Sequence, residues 1–234
     1  MTNRDYSWDG VDTVYVYSIP TVAMNDYVRS GANRYGTPDE LGNSTQKLQI
    51  RKDRSWTFTI DKLNKNQSMM VEDAGKACAR QMRLVVIPEV DTYTFLEMAK
   101  NAGNTDATTA TKANAYSLLL DAQEELGNAN VPDTGRVALV SYHFAGLLKQ
   151  DPAFMRDCDV AQNMQIKGYL GEVDGVKIVK VPSSRLPAGC DFILCHPIAT
   201  VAPQVLSEYK IHTDAPGISG WSFRKHSQPV QKCA

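Results

Sequence analysis

Residues 53–61, "DRSWTFTID", alternate polar and apolar without a slip. Successive strand side chains point to opposite faces, so Trp56, Phe58 and Ile60 share one side while Ser55, Thr57, Thr59 and Asp61 share the other. An earlier strand, "VDTVYVYSI", sets Tyr15, Tyr17 and Ile19 on one face and Val14 and Val16 on the other. Pro20 ends it or confines it to an edge. Between the two lies "RSGANRYGTPDELGNS", whose Gly, Asn, Pro and Asp content reads as a long polar loop, followed by "KLQI". The pattern predicts a long two-stranded excursion over 11–61. A two-stranded ribbon is marginal in water and has to lean on something else.

From Ser68 the period becomes helical. Val71, Ala74, Cys78, Met82 and Val85 recur at helix spacing, with Ser68 as N-cap and Glu72 and Asp73 in the first turn. Pro88 predicts a kink or a break. The pattern resumes through Phe95, Met98, Ala99 and Ala102, and Gly103 supplies a stop. "NTDATTATKAN" lacks large apolar residues and reads as an exposed junction between two lobes. A helix then places Ala115, Leu118, Leu119, Ala122 and Leu126 inward. "VALV" and "DFILCHP" read as buried strands, "YHFAGLLKQD" as a short helix, and Asp174-Gly175 as a hairpin turn. "VLSEYKIH" alternates, with Val205, Tyr209 and Ile211 on one side. The closing "WSFRKHSQPVQKCA" does not alternate, and its basic stretch reads as a solvated terminus. No internal repeat is present, and the class is α+β.

Composition narrows the functions. The chain has 234 residues, room for one large domain or two modest ones. Its 25 basic and 26 acidic residues nearly cancel, unlike the balance of a dedicated nucleic-acid binder. Five cysteines without a CxxC predict free thiols in a reducing cytoplasm. No apolar run reaches the roughly 18 residues of a membrane span.

Candidate chemistry is thin. Cys190, Cys195 and His196 are one ligand short of a zinc site, and neighbours on a strand point apart. Ser141 and His143 lack a GxSxG elbow, and Ser141 fits a helix N-cap. "GYLGEVDG" lacks the strand–GxGxxG–helix context of a phosphate loop. Glu89 and Asp91 read as acids at a restarting helix. No catalytic set, cofactor site or metal site emerges, and the expectation is a protein that is not an enzyme.

Seven strings, in this order, resemble the major capsid, or coat, proteins of tailed bacteriophages. They are "TVYVYSI", "NRYGTPDEL", "KDRSWTFTIDKLN", "VVIPEVDTYTF", "VPDTGRVALVS", "GEVDGVKIVKVPSSRLP" and "KIHTDAPGISG". The resemblance implies an α+β fold with an extended β-loop, a long spine helix in a peripheral domain and a compact α/β axial domain. Residues 1–67 would form the N-terminal segment and extended loop. Residues 68–112 and 203–234 would form the peripheral domain, and 113–202 the axial domain. Tyr15, Tyr17, Arg54, Trp56, Phe58 and Ile60 would meet a neighbouring copy. The implied protein self-assembles into capsomers and an icosahedral shell around double-stranded DNA, touched without sequence preference. Scaffolding and portal proteins would be its other partners, with no membrane. Its place would be the virion capsid, assembled in the host cytoplasm. Family members commonly carry an N-terminal arm before this region and a further peripheral strand after "PGISG", so the chain reads as shortened. Two alternatives follow: an encapsulin-like compartment shell, or a truncated capsid-derived protein that interferes with assembly.

Overall fold

The computed structural model describes residues 6–8, 13–38, 40–49, 51–52, 54–61, 74–157, 171–202, 204–212, 220–229 and 232–233. Strands β1 (Tyr6–Trp8), β2 (Thr13–Ser18) and β3 (Ser44–Gln49) form an antiparallel sheet in that order. Val14 stands opposite Leu48, and the two pack with Val201. The fourth strand, β4 (Arg54–Asp61), does not extend this ribbon as the excursion over 11–61 required. It pairs antiparallel with β11 (Gly220–Pro229), Phe58 opposite Phe223, and β11 pairs in turn with β10 (Gln204–His212). The closing segment thus includes a ten-residue strand, paired on both sides, where no strand was expected. Its lack of alternation hid it, because backbone pairing with β4 and β10 asks nothing of side-chain pattern. A last short strand, β12 (Lys232–Cys233), pairs with β9 (Thr200–Val201).

The long helix runs unbroken from Ala74 to Lys100. It comprises α1 (Ala74–Gln81), a π-helical stretch Met82–Val86, and α2 (Ile87–Lys100). Pro88 was expected to kink or break it. A proline has no N–H to give the carbonyl four residues back, and its ring crowds that carbonyl. The wider π turn makes room: the Ile87 N–H reaches the Met82 carbonyl, five residues back, and the chain continues as α-helix. The helix stops at Asn101, before Gly103, where Asn101 Nδ2 donates to the Glu97 carbonyl at 2.8 Å. Its expected start, with Ser68 as N-cap, lies outside the described residues.

The second half is layered. It contains α3 (Ala115–Asn128), β5 (Val137–Ser141), α4 (Tyr142–Gln150), α5 (Pro152–Asp157), β6 (Glu172–Val173), β7 (Val176–Val181) and β8 (Phe192–Cys195). The sheet order is β6-β7-β5-β8, with β5 parallel to β7 and antiparallel to β8. Every residue of β5 is buried. Val137 and Leu139 meet Phe95 and Met98 of α2, while Ala138 and Val140 meet Leu118, Leu119, Phe144 and Leu148. Burial on both faces is why "VALV" is a continuous apolar run and not an alternating one. By contrast, β8 is the edge strand and only half-buried, not the buried strand its composition suggested. Two local expectations hold. The Phe144 N–H donates to Ser141 Oγ at 3.0 Å, capping α4, and Asp174 and Gly175 take φ of 49° and 75° in the β6–β7 hairpin. The junction 103–112 is exposed apart from Ala110, which is anchored in the core with Leu118.

Among the described residues Arg136 is the largest fully buried side chain, 2% exposed. Its guanidinium donates to the carbonyls of Pro132 (3.1 Å), Gln123 (3.3 Å) and Val131 (2.6 Å), and it also pairs with Asp133 at 2.7 Å. Asp133 is 88% exposed, so the carbonyls and not the ion pair carry the interaction. Arg136→Met should lower the free energy of unfolding by about 2–4 kcal/mol, since charge-assisted hydrogen bonds are lost and buried carbonyls are orphaned. Asp133→Asn should cost less than about 1 kcal/mol. Urea unfolding of the two variants checks this, and equal losses would place the weight on the ion pair. Leu139→Ala, which opens a cavity between the sheet and the long helix, should cost about 2–5 kcal/mol in the same measurement.

Candidate assembly interface

Between β2 and β3 the chain travels through residues 19–43 without a helix or strand among its described residues. Excursions this long inside a domain are uncommon and usually functional. Its large apolar side chains face solvent: Met24 is 98% exposed, Tyr35 83%, and Ile19, Val22, Tyr27, Val28 and Leu41 are all exposed. The excursion is nevertheless organised. The Val28 N–H donates to the Arg34 carbonyl and the Gly36 N–H to the Asn33 carbonyl, both at 3.0 Å. The rings of Tyr27 and Tyr35 lie 5.1 Å apart. Gly36 has φ of 81°, where a side chain is strained, and a Cβ there would lie 2.5 Å from the Asn25 side chain, so the turn favours glycine. Exposed apolar surface of this kind, on a segment with its own hydrogen bonds, is the candidate contact surface of the chain.

A second apolar surface lies on the long helix. Leu84, Val85 and Ile87, at and just after the π turn, are exposed, as is Leu96. Between this helix and β4 is a cavity of ≈ 130 Å³ lined by Trp56, Gln81, Val85, Val86, Val90 and Tyr93. Arg54 and Glu89 also line it, joined by Arg54 Nε–Glu89 Oε1 at 2.7 Å. Trp56 Nε1 is buried there without a hydrogen-bond partner among the described residues. Such an orphaned donor is costly unless another group arrives to accept from it.

The six residues expected to meet a neighbour fall into two groups that the fold keeps on different sheets. Tyr15 and Tyr17 lie on β2; Lys47 Nζ stands 5.6 Å above the Tyr15 ring, and Tyr17 is exposed and accepts from Ser7 Oγ at 3.3 Å. Arg54, Trp56, Phe58 and Ile60 lie on β4. Trp56 and Phe58 stack, ring centroids 5.4 Å apart and nearly parallel, and both are half-buried. Ile60 is only 6% exposed, covered by its own chain. The excursion's own apolar residues escaped the strand reading. Their signal was a surplus of large side chains in a segment with turn residues and no period.

The groups considered for chemistry stand apart. Cys195 Sγ faces the Val137 carbonyl at 3.6 Å, His196 Nε2 faces the Thr134 carbonyl at 3.1 Å, and Cys190 Sγ faces the Phe192 carbonyl at 3.4 Å. Among the described residues no three His, Cys, Asp or Glu groups gather closely enough to hold a metal ion. Burial, and then the charge of Asp191, pushes the Cys190 thiol up, away from the reactive thiolate. Glu89 and Asp91 are ion-pair partners, of Arg54 and of Arg185, each at 2.7 Å. No helix among the described residues is long and apolar enough to cross a membrane.

No protein-family profile and no curated protein matches this chain. Solved structures do. A chain from Mycobacterium phage Che8 superposes with a TM-score of 0.71 at 20% identity, over 95% of this chain and 81% of that one. The capsid structure of cyanophage P-SCSP1u gives 0.73 at 12% identity, over 97% and 81%. The head structure of Helicobacter pylori bacteriophage KHP40 gives 0.68 at 11% identity, over 98% and 80%. Sequence identity this low speaks to architecture, and the architecture agrees along nearly the whole chain: its fold is that of the tailed-phage capsid proteins.

Proposed function

We propose that this chain is a structural subunit of a tailed-phage capsid that self-assembles into capsomers and a closed icosahedral shell around double-stranded DNA. The observation that carries this is the excursion 19–43, which presents exposed apolar side chains on a capsid fold. In this reading 1–67 is the N-terminal segment and extended loop, 68–112 with 203–234 the peripheral domain, and 113–202 the axial domain. Tyr15, Tyr17, Arg54, Trp56 and Phe58 belong to the inter-subunit contact, while Ile60, covered by its own chain, supports β4 from within. The excursion of one copy lies across its neighbour, whose exposed Leu84, Val85 and Ile87 are the apolar surface it would cover. The role is structural and not enzymatic. The place is the virion capsid, assembled in the host cytoplasm, with scaffolding and portal proteins as further partners. The near-zero net charge suits large interfaces between identical subunits, which would otherwise repel one another.

Electron microscopy of the purified protein tests the shell directly. Closed particles are expected, and a lone monomer at every concentration would overturn the reading. Variants then locate the contact. Met24→Ser with Tyr35→Ser should leave the melting temperature of the subunit unchanged and weaken assembly in sedimentation, because both side chains are solvent-exposed in the single copy. Phe58→Ala should also act mainly on assembly. Leu118→Ala, in the core, should instead lower subunit stability by about 2–5 kcal/mol. If Phe58→Ala unfolds the subunit as badly as Leu118→Ala, the aromatic pair on β4 belongs to the internal core and not to the contact.

A further inference from the structure

We infer that the hollow beside Lys52, between the long helix and the turn Ser183–Arg185, receives the tip of a neighbouring copy's excursion, with Asp26 of that copy paired to Lys52; the assignment rests on the capsid reading above and names its contact. The hollow has a volume of ≈ 330 Å³. Its apolar wall is Pro88, Tyr93 and Leu96, the last 37% exposed. Three charged groups line it, and two are already cancelled: Glu89 by Arg54 and Arg185 by Asp91, each at 2.7 Å. Lys52 is the third. It is half-buried, its Nζ stands 4.4 Å from the centre of the Tyr93 ring, and among the described residues no carboxylate pairs with it. A ring face attracts a cation without neutralising it, so one positive charge is left at the edge of an apolar hollow. Lys52, Glu89 and Tyr93 also line the cavity under Trp56, and Pro88 directly follows the exposed Ile87. The hollow therefore continues the helix surface already given to the neighbour.

The complement of such a hollow is an apolar segment that carries one negative charge. The tip of the excursion is a segment of this kind. Met24, Tyr27, Val28 and Tyr35 are exposed there, and Asp26 stands exposed among them, without an ion-pair partner among the described residues. The tip is also preformed: Asn25 lies against Gly36, Tyr27 packs near Tyr35, and the Val28 N–H donates to the Arg34 carbonyl. A segment already in shape loses less freedom on docking. Glu40 is exposed too, yet it lies beyond this bonded stretch. Arg29 and Arg34 sit on the same tip, so the charge of Lys52 fixes which way it enters, with Asp26 toward the hollow and the arginines away.

The test is association of the full chain, followed by sedimentation velocity over a concentration series. Lys52→Glu and Asp26→Lys should each raise the concentration needed for assembly by about tenfold or more, because each sets like charges face to face. Mixed in equal amounts, the two variants should assemble close to the unaltered chain. Alternating copies then bring Asp26 to Lys52, and the introduced lysine to the introduced glutamate. The double variant alone should also recover. Recovery in the double variant without recovery in the mixture would place the pair within one copy and overturn the assignment. Failure of both to recover overturns it too, as does assembly of both single variants at the original concentration. Should Lys52→Glu not fold, Lys52→Gln and Asp26→Asn take the place of the reversals. Each should weaken assembly, and the second should add little once the first is made; additive losses would reject the pairing. Electron microscopy of the same preparations separates the two proposals. Shells from the unaltered chain and from both single variants alike would sink this contact and spare the capsid reading, and absence of shells from the unaltered chain would sink the capsid reading.

Discussion

Strand β5 has no free face, and the rest of the fold is arranged around that fact. Its odd residues, Val137 and Leu139, close the space against Phe95 and Met98, while Ala138 and Val140 close the opposite side against α3 and α4. The strand therefore joins the long helix to the compact second half through a single dry layer. A void on either side costs dispersion contacts that no water can replace. Arg136 sits at the entrance to this strand and ties the preceding turn to α3 through three carbonyls. The register of β5 is thus held by packing from both faces and by hydrogen bonds at its start.

The long helix is tied at several points. Phe95 and Met98 pack on the sheet, Asp91 is held by Arg185, and Glu89 by Arg54 on β4. Glu89 ties it to β4, and Asp91, Phe95 and Met98 tie it to the second half of the chain. The π turn at Met82–Val86 lets the helix pass Pro88 without breaking and leaves Leu84, Val85 and Ile87 exposed. Its irregular turn and one of its apolar surfaces therefore coincide, at the place where the cavity under Trp56 opens. The buried Trp56 Nε1, without a hydrogen-bond partner among the described residues, lies beside the same stretch of helix.

The subunit is well closed around β5 and incompletely closed around its excursion. The second half buries its apolar residues in continuous clusters, whereas the excursion holds Met24 and Tyr35 out in water. Apolar side chains held in water leave a hydrophobic driving force unspent in the single copy, and under the proposed capsid role that force would act on association between copies.

Elements with local causes were legible in the chain itself. The alternation of β4, the Ser141 cap, the Asp174-Gly175 turn and the helical period through Phe95 and Met98 depend on residues a few positions apart, and each appears where it was expected. Much of the candidate interface was half legible: Trp56 and Phe58 were found on one face of a strand, but the apolar residues of 19–43 have no period and passed as a polar loop. Only the tertiary structure decided which strands pair. Strand β4 joins β11, far along the chain, because pairing depends on which backbone edges are brought side by side, and backbone hydrogen-bonding groups are the same in every residue. Tertiary packing likewise decided that Pro88 would be absorbed and not obeyed. The contacts of α2 on both sides outweigh the local penalty of a proline, and a residue's neighbours in space are not written in its neighbours in sequence.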